Sequence, residues 1–301
     1  MSRWLNSPVA IGVGAREVVV GARTRARWYL RKRPPVAEPV SVAIPDAQFG
    51  TEPGVLDALR AALSAAPGAA LQGGAAPTEA TTAAPSAVTT MRSAYVVLDD
   101  FWCHHAILRG DFRTLRVREL EALALAHFSD TCGIDGEALV VRVCVQHGGR
   151  ALFASAMPRA LHDGMHDACA ASAIRIRSLR ACLPQLLNRI AASCEGDALL
   201  LFVAGELMQA VVIERGGWAA YDAQRLFAGD AGDAARLAEL AAQLFERSAT
   251  QAGLKREDCR IYLCGIDMDP APFAARFAAA IRPPQPALDG SLARRLMEVA
   301  Q

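Results

Sequence analysis

Residues 197–221, DALLLFVAGELMQAVVIERGGWAAY, restrict what this chain can fold into more than any other stretch. An unbroken apolar run reaches Val203, the backbone turns at Ala204-Gly205-Glu206, a second apolar run follows, and Gly216-Gly217 stand before Trp218. A short continuous apolar run bounded by turn residues fits a strand buried on both faces, and two such runs hinged on a glycine read as a β-hairpin. A hairpin this apolar needs layers of structure on both sides of it, so it belongs inside an α/β body.

The 301 residues are enough for about two domains or one bilobal unit. Lys+Arg 32 against Asp+Glu 31 leave a net charge of +1, which gives no general attraction to nucleic acid or anionic lipid. The eight cysteines are scattered, mostly within apolar runs, in a chain much larger than disulfide-stapled domains, and read as reduced, buried thiols of a cytosolic protein. The first residues lack a signal-peptide core, because Gly12 and Gly14 interrupt the early apolar stretch. No segment approaches the roughly 20 apolar residues of a membrane span.

Along the chain, 9–14 and 17–21 read as strands joined by a tight turn at Gly14-Ala15-Arg16, with a third β segment at 28–30 or 40–44. The arginines from Arg23 to Arg33, with Trp28 and Tyr29 among them, read as a solvated sheet edge; phospholipid headgroups are the functional alternative. A helix is expected over 53–66, and the Ala, Gly, Thr and Pro of 68–90 form a low-complexity insertion that cannot build a core. Strands at 95–100 and 102–108 are expected to pair, as are 138–145 and 151–156, with a short strand at 174–178 and another at 260–264. Helices are expected at 118–128, 158–173, 183–192, 234–253 and 272–281. Pro283, Pro284 and Pro286 close the body, and 288–300 reads as an amphipathic tail helix with Leu292, Leu296 and Val299 on one side.

Three short motifs recur in a telling order. The first turn reads Ile11-Gly12-Val13-Gly14-Ala15-Arg16-Glu17-Val18-Val19, the second Val203-Ala204-Gly205 with the glycine corner at Gly216-Gly217, and the third Leu263-Cys264-Gly265-Ile266. In this order and spacing the chain resembles the actin-like (ASKHA-fold) proteins of bacterial type IV pilus and type II secretion machines, the PilM and GspL cytoplasmic-domain group. The resemblance implies an α/β, two-lobed, ribonuclease-H-like fold with mixed sheets flanked by helices. It implies a first lobe over 1–196 with its insertion at 68–90, a second lobe over 197–282, and a Pro-rich linker with the tail helix over 283–301. It also implies two phosphate turns, at Gly12 and Gly14 and at Gly205 and Glu206, and an adenosine motif at Gly265.

The departures from that pattern bear on chemistry. ATP-binding members carry a carboxylate on each phosphate turn to hold hydrated Mg²⁺, and a lysine on the returning strand; here the three positions are Gly12, Val203 and Val19, and Ile266 fills the adenine side. The expectation is a pseudo-ATPase with no cofactor, ATP and Mg²⁺ being the group to test. The other carboxylates that could substitute, Asp99, Asp100, Glu206, Asp267 and Asp269, read as ordinary loop acids and a turn cap.

Two further groupings stand out. His162, His166 and Cys169 share one helical face with Asp163 and Asp167 alongside, a spacing open to metal but without a further ligand. Cys103-His104-His105 reads as a half-buried edge with one core thiol. No Walker loop, G-x-S-x-G elbow or C-x-x-C pair occurs. The resemblance therefore implies a cytoplasmic scaffold at the inner membrane that holds the cytoplasmic tail of a bitopic pilus or secretion protein, with the assembly ATPase as a second partner and no nucleic acid. An ATPase or kinase relative using displaced carboxylates, and a homo-oligomer pairing through the tail helix, are the other readings.

Overall fold

A computed structural model describes residues 8–23, 38–66, 91–146, 148–190, 194, 196–227, 229–249, 253–265, 267–283 and 290–300. The expectations for 28–30, 68–90, Ile266, Pro284 and Pro286 lie outside the described residues. In chain order the elements are β1 (Val9–Val13), β2 (Glu17–Ala22), β3 (Val40–Ala43), α1 (Glu52–Ala65), β4 (Arg92–Leu98), β5 (His104–Arg109), α2 (Val117–Cys132), β6 (Leu139–Val145) and β7 (Ala151–Pro158). They continue with α3 (Arg159–Ala171), β8 (Ile174–Ala181), α4 (Cys182–Ile190), β9 (Ala198–Ala204), β10 (Leu207–Glu214), β11 (Gly217–Arg225), α5 (Ala234–Ala249), β12 (Arg260–Cys264), α6 (Ala271–Ala274), β13 (Ala279–Ile281) and α7 (Leu292–Val299).

Two units emerge, and they interleave along the chain. The first lies within 1–99, 160–182 and 288–301, the second within 100–159 and 183–287, which differs from the sequential division at 196/197. The first unit holds a sheet of order β3-β2-β1-β4-β8, and the second a sheet of order β11-β10-β9-β12-β13. Both follow one rule: the first three strands in sequence run antiparallel, and the last two add on in parallel. The same topology has thus been built twice. The second unit carries in addition the three-stranded sheet β5-β7-β6.

In the second unit β9 is buried on both faces, as its uninterrupted apolar run requires. Leu199, Leu201 and Val203 pack with Leu237, Leu240, Leu244 and Phe245 of α5, while Leu200 and Phe202 on the other face pack with Leu183 and Leu187 of α4. Helix α5 forms because its large apolar residues recur every three or four positions, and Asp233 accepts the Arg236 N–H at its start. The turn between β9 and β10 places Gly205 at φ +58°, and the next turn has Arg215 and Gly216 both at positive φ, the signature of a tight type I′ hairpin.

Three expectations are corrected. Strands 95–100 and 102–108 do not pair: β4 sits between β1 and β8, whereas β5 pairs with β7. The helix expected over 272–281 is only one turn at α6, and residues 279–281 form β13, whose parallel pairing with β12 overrides the helix propensity of alanine. The tail helix spans a shorter range, and its buried face is Ala293, Leu296, Met297 and Ala300, with Leu292 and Val299 partly buried beside it.

Candidate functional site

The first phosphate-like turn lies at the end of β1. Gly12 stands between Val19 of β2 and Val97 of β4 in the sheet register, and α7 packs directly on this row. A Cβ placed on Gly12 would lie 1.9 Å from the Ala293 carbonyl oxygen and 2.5 Å from the Met297 amide nitrogen, both backbone atoms of α7. No side chain fits there without moving the helix. Gly14 sits under the same helix, where an added Cβ would be 3.2 Å from the Ala293 Cβ, and its N–H donates to the Glu17 carbonyl at 2.9 Å. Val19, at the position of the family lysine, is buried against α7. Gly12 and Val19, two of the three places where the resemblance asks for charge, therefore lie beneath one apolar helix.

The second turn lies at the end of β9. Gly205 and Glu206 are its two central residues, and the Glu206 carbonyl accepts the Leu226 N–H at 2.8 Å. Val203 is wholly buried in the core under α5. Gly265 follows β12 with φ +99°, and a Cβ there would fall 2.1 Å from the Val203 carbonyl oxygen. The structure thus brings Gly265 onto the strand end that carries Gly205 and Glu206, because β12 runs parallel beside β9 with Cys264 opposite Phe202.

Among the substitute acids, Asp269 does cap a turn, accepting the Ala271 N–H at 3.0 Å, and exposed Asp267 holds Arg282 at 2.9 Å. Asp99 and Asp100 are not ordinary loop acids: both are buried. Asp100 Oδ1 accepts His105 Nε2 at 2.9 Å and the Leu183 N–H at 3.0 Å, and its Oδ2 accepts Gln209 Nε2 at 3.2 Å. Gln209 Oε1 in turn accepts the Tyr221 hydroxyl at 3.0 Å, and His105 Nδ1 lies 2.8 Å from Ser155 Oγ. Burial pushes the Tyr221 phenol well above its ordinary range, with the charge of Asp100 adding to the effect.

This network corrects the reading of 103–105. The buried residue is His105, stacked on Phe153, whereas Cys103 precedes the strand and is half-buried. Ser155, Gln209 and Tyr221 were not singled out from the sequence. The signal was there for Gln209, an isolated amide within the apolar run of β10 that must find partners once buried.

On α3 the His162 and His166 rings lie 4.7 Å apart, and His162 Nδ1 is 2.7 Å from Asp163 Oδ1. Cys169 is wholly buried, which pushes its thiol up to about 12, but the expectation of buried thiols holds only for Cys169, Cys259 and Cys264: Cys103, Cys182 and Cys194 are half-buried, and Cys132 and Cys144 are exposed. Among the described residues no group of three or more His, Cys, Asp or Glu is placed to hold a metal ion.

No protein-family model matches the chain, and no curated protein matches it in sequence. Solved structures do. A protein with actin-like ATPase fold and unknown function from Bacteroides thetaiotaomicron VPI-5482 superposes with a TM-score of 0.56 at 7% identity, over 93% of this chain and 93% of that one. The PilM-PilN type IV pilus biogenesis complex gives 0.51 at 14% identity, over 86% of this chain and 82% of that one. The cytoplasmic domain of EpsL, an inner-membrane component of the type II secretion system of Vibrio cholerae, gives 0.48 at 11% identity over 98% and 94%. The fold is actin-like, with mixed sheets in a topology that occurs twice.

Proposed function

We propose that the protein is a non-catalytic actin-like scaffold of a bacterial type IV pilus or type II secretion assembly, which holds the cytoplasmic tail of an inner-membrane partner. The observation that carries this reading is the contact at Gly12. A carboxylate on the first phosphate turn is missing from the sequence, and its space is filled by the backbone of α7. At the second turn Val203 lies in an apolar core, so Mg²⁺ has no acid at either place. Asp100, the most buried of the substitutes, already accepts three protein donors.

With phosphate transfer removed, what remains of the fold is its surface. Support for the pilus reading comes from the solved PilM-PilN complex, in which a protein of this fold is bound to another component of the machine. Among the described residues no helix is long and apolar enough to cross a membrane, so on this reading the protein reaches the inner membrane through its partner, with the assembly ATPase on its other side. The apolar face of α7 packs on β1, β2 and β4, which leaves the tail helix without that face for pairing between copies.

Two measurements test the proposal. Calorimetry with synthetic cytoplasmic tails of the bitopic proteins encoded beside this gene should show binding to one of them; silence from all would end it. Thermal melts with and without Mg²⁺-ATP should coincide. A ligand that binds the native state at 100 times its Kd adds about 2.7 kcal/mol, so a nucleotide-dependent rise of several degrees would restore the ATPase reading.

A further inference from the structure

The outer edge of the first unit's sheet carries a charge pattern that the net charge conceals. Strand β8 is the last strand of that sheet, and among the described residues no strand pairs with its far side. Arg175, Arg177 and Arg180 are all exposed on it. Arg175 and Arg180 have no hydrogen bond or ion pair among the described residues, and Arg177 reaches only the Ser93 hydroxyl, at 3.4 Å. Several arginines elsewhere on the surface hold carboxylates, Arg60, Arg236, Arg247 and Arg282 among them; what sets β8 apart is that three arginines without one stand together on a single strand. In a protein of net charge +1, an edge strand of this kind is a local excess.

The register sharpens the pattern. Arg175 and Arg180 are five residues apart and in a regular strand would face opposite ways. A shift in pairing between Ala94 and Tyr95 inserts one residue on β8, so that Arg175 lies opposite Ser93 and Arg180 opposite Val97. Ser93 and Val97 are four apart on β4 and share a face. The irregularity therefore turns both guanidinium groups to the same side. It is the side on which α7 covers Val97, and there the Arg23 guanidinium also stacks 3.5 Å above the Tyr95 ring. The acid on the neighbouring helix, Glu298, faces Arg294 of its own helix at 3.7 Å.

We propose that β8 is a docking edge for an extended acidic segment of a partner protein, which adds to the sheet as a further strand and sets its carboxylates against Arg175, Arg177 and Arg180. The unpaired backbone of the edge supplies the hydrogen bonds, and the arginines supply register and selectivity. Two other occupants satisfy less of the surface. A second copy of the chain pairing edge to edge would bring arginine against arginine, which is destabilising. An anionic headgroup would meet the guanidinium groups and leave the backbone of the strand unmet. The inference does not depend on the scaffold reading, since it concerns only this sheet edge.

The test uses the full chain and a fluorescein-labelled peptide of alternating glutamate and threonine, read by anisotropy at low salt. The unaltered protein should bind it, and replacing all three arginines by glutamate should weaken binding at least ~10-fold, given three cross-strand charge pairs. The glutamine triple variant should fall between them. Reversing Arg60 and Arg236 instead should leave binding unchanged, and circular dichroism melts should confirm that every variant is folded. A peptide N-methylated at alternate amides, and one with its glutamates gathered in a block, should both bind more weakly. Equal binding by the glutamate variant overturns the proposal, as does indifference to N-methylation. Binding confined to phosphatidylglycerol vesicles or to a thymidine oligonucleotide also overturns it and assigns the patch to another polyanion.

Discussion

The ends of β1 and β9 hold the same place in the repeated topology, each at the tip of the central strand of its sheet, yet they lack an acid for different physical reasons. At Gly12 the obstacle is steric: helix backbone lies where a Cβ would be. At Val203 there is room for a side chain, and the obstacle is electrostatic, because that side chain lies in a wholly apolar core. A missing functional residue can therefore be reversible at one turn and locked at its counterpart. Substitutions that restore the acids tell the two cases apart.

The largest effect is expected at the locked position. Gly12→Asp should lower stability by about 4 kcal/mol, since α7 must lift away and a carboxylate is left against apolar surface. Gly12→Ala should be nearly as damaging, because the overlap begins at the Cβ. Both should expose the segment after Gly290 to limited proteolysis. Urea midpoints within about 0.5 kcal/mol of the parent would show that the helix seat is soft and that the locked description is wrong.

Val203→Asp should cost about 3 kcal/mol at neutral pH, the penalty for an unpaired buried carboxylate. Desolvation would raise the pKa of the new group above its unfolded value of about 3.9, so the folded state holds the proton more tightly. Its penalty is then full at pH 7 and shrinks as the pH falls toward 4. The deficit of Gly12→Ala should not change over that interval. Parallel urea titrations at pH 7 and pH 4.5 decide the matter: if the two deficits move together, the distinction between steric and electrostatic loss fails.

The same contrast explains what was legible in the sequence. The apolar run of β9 announced a strand buried on both faces because every residue in it carries the signal itself. The order of turns announced the actin-like fold for a similar reason, each motif being local. Gly12 was read as a lost acid, although a glycine inside a strand also marks a close approach by other backbone. Its partner, Ala293, comes from the other end of the chain, so no window of sequence contains the contact. Neighbours in sequence usually pair, which is why the sequence suggests a β4–β5 pair, but the chain leaves the first unit at Asp99 and β5 finds β7 instead. Asp100 looked like a loop acid because its donors, on His105, Leu183 and Gln209, are distributed over more than a hundred residues.

The smallest effect probes the polar group that stays in the second unit. Tyr221→Phe removes one hydrogen bond to Gln209 and should cost about 1 kcal/mol at pH 8. The phenol titrates well above its ordinary 10.0 in the folded protein because burial disfavours the phenolate. A raised pKa means that the folded state keeps its proton after the unfolded chain has lost it. Stability from this group is thus complete below pH 10 and declines as the pH rises beyond it. The phenylalanine variant has no such titration, while the buried thiols of Cys169 and Cys259, pushed up to about 12 and about 11, act equally in both proteins. The gap between parent and variant should therefore narrow between pH 10 and pH 11 in urea titrations. A gap that stays constant would mean that the phenol reaches water, and the second unit would then be held at this point by packing alone.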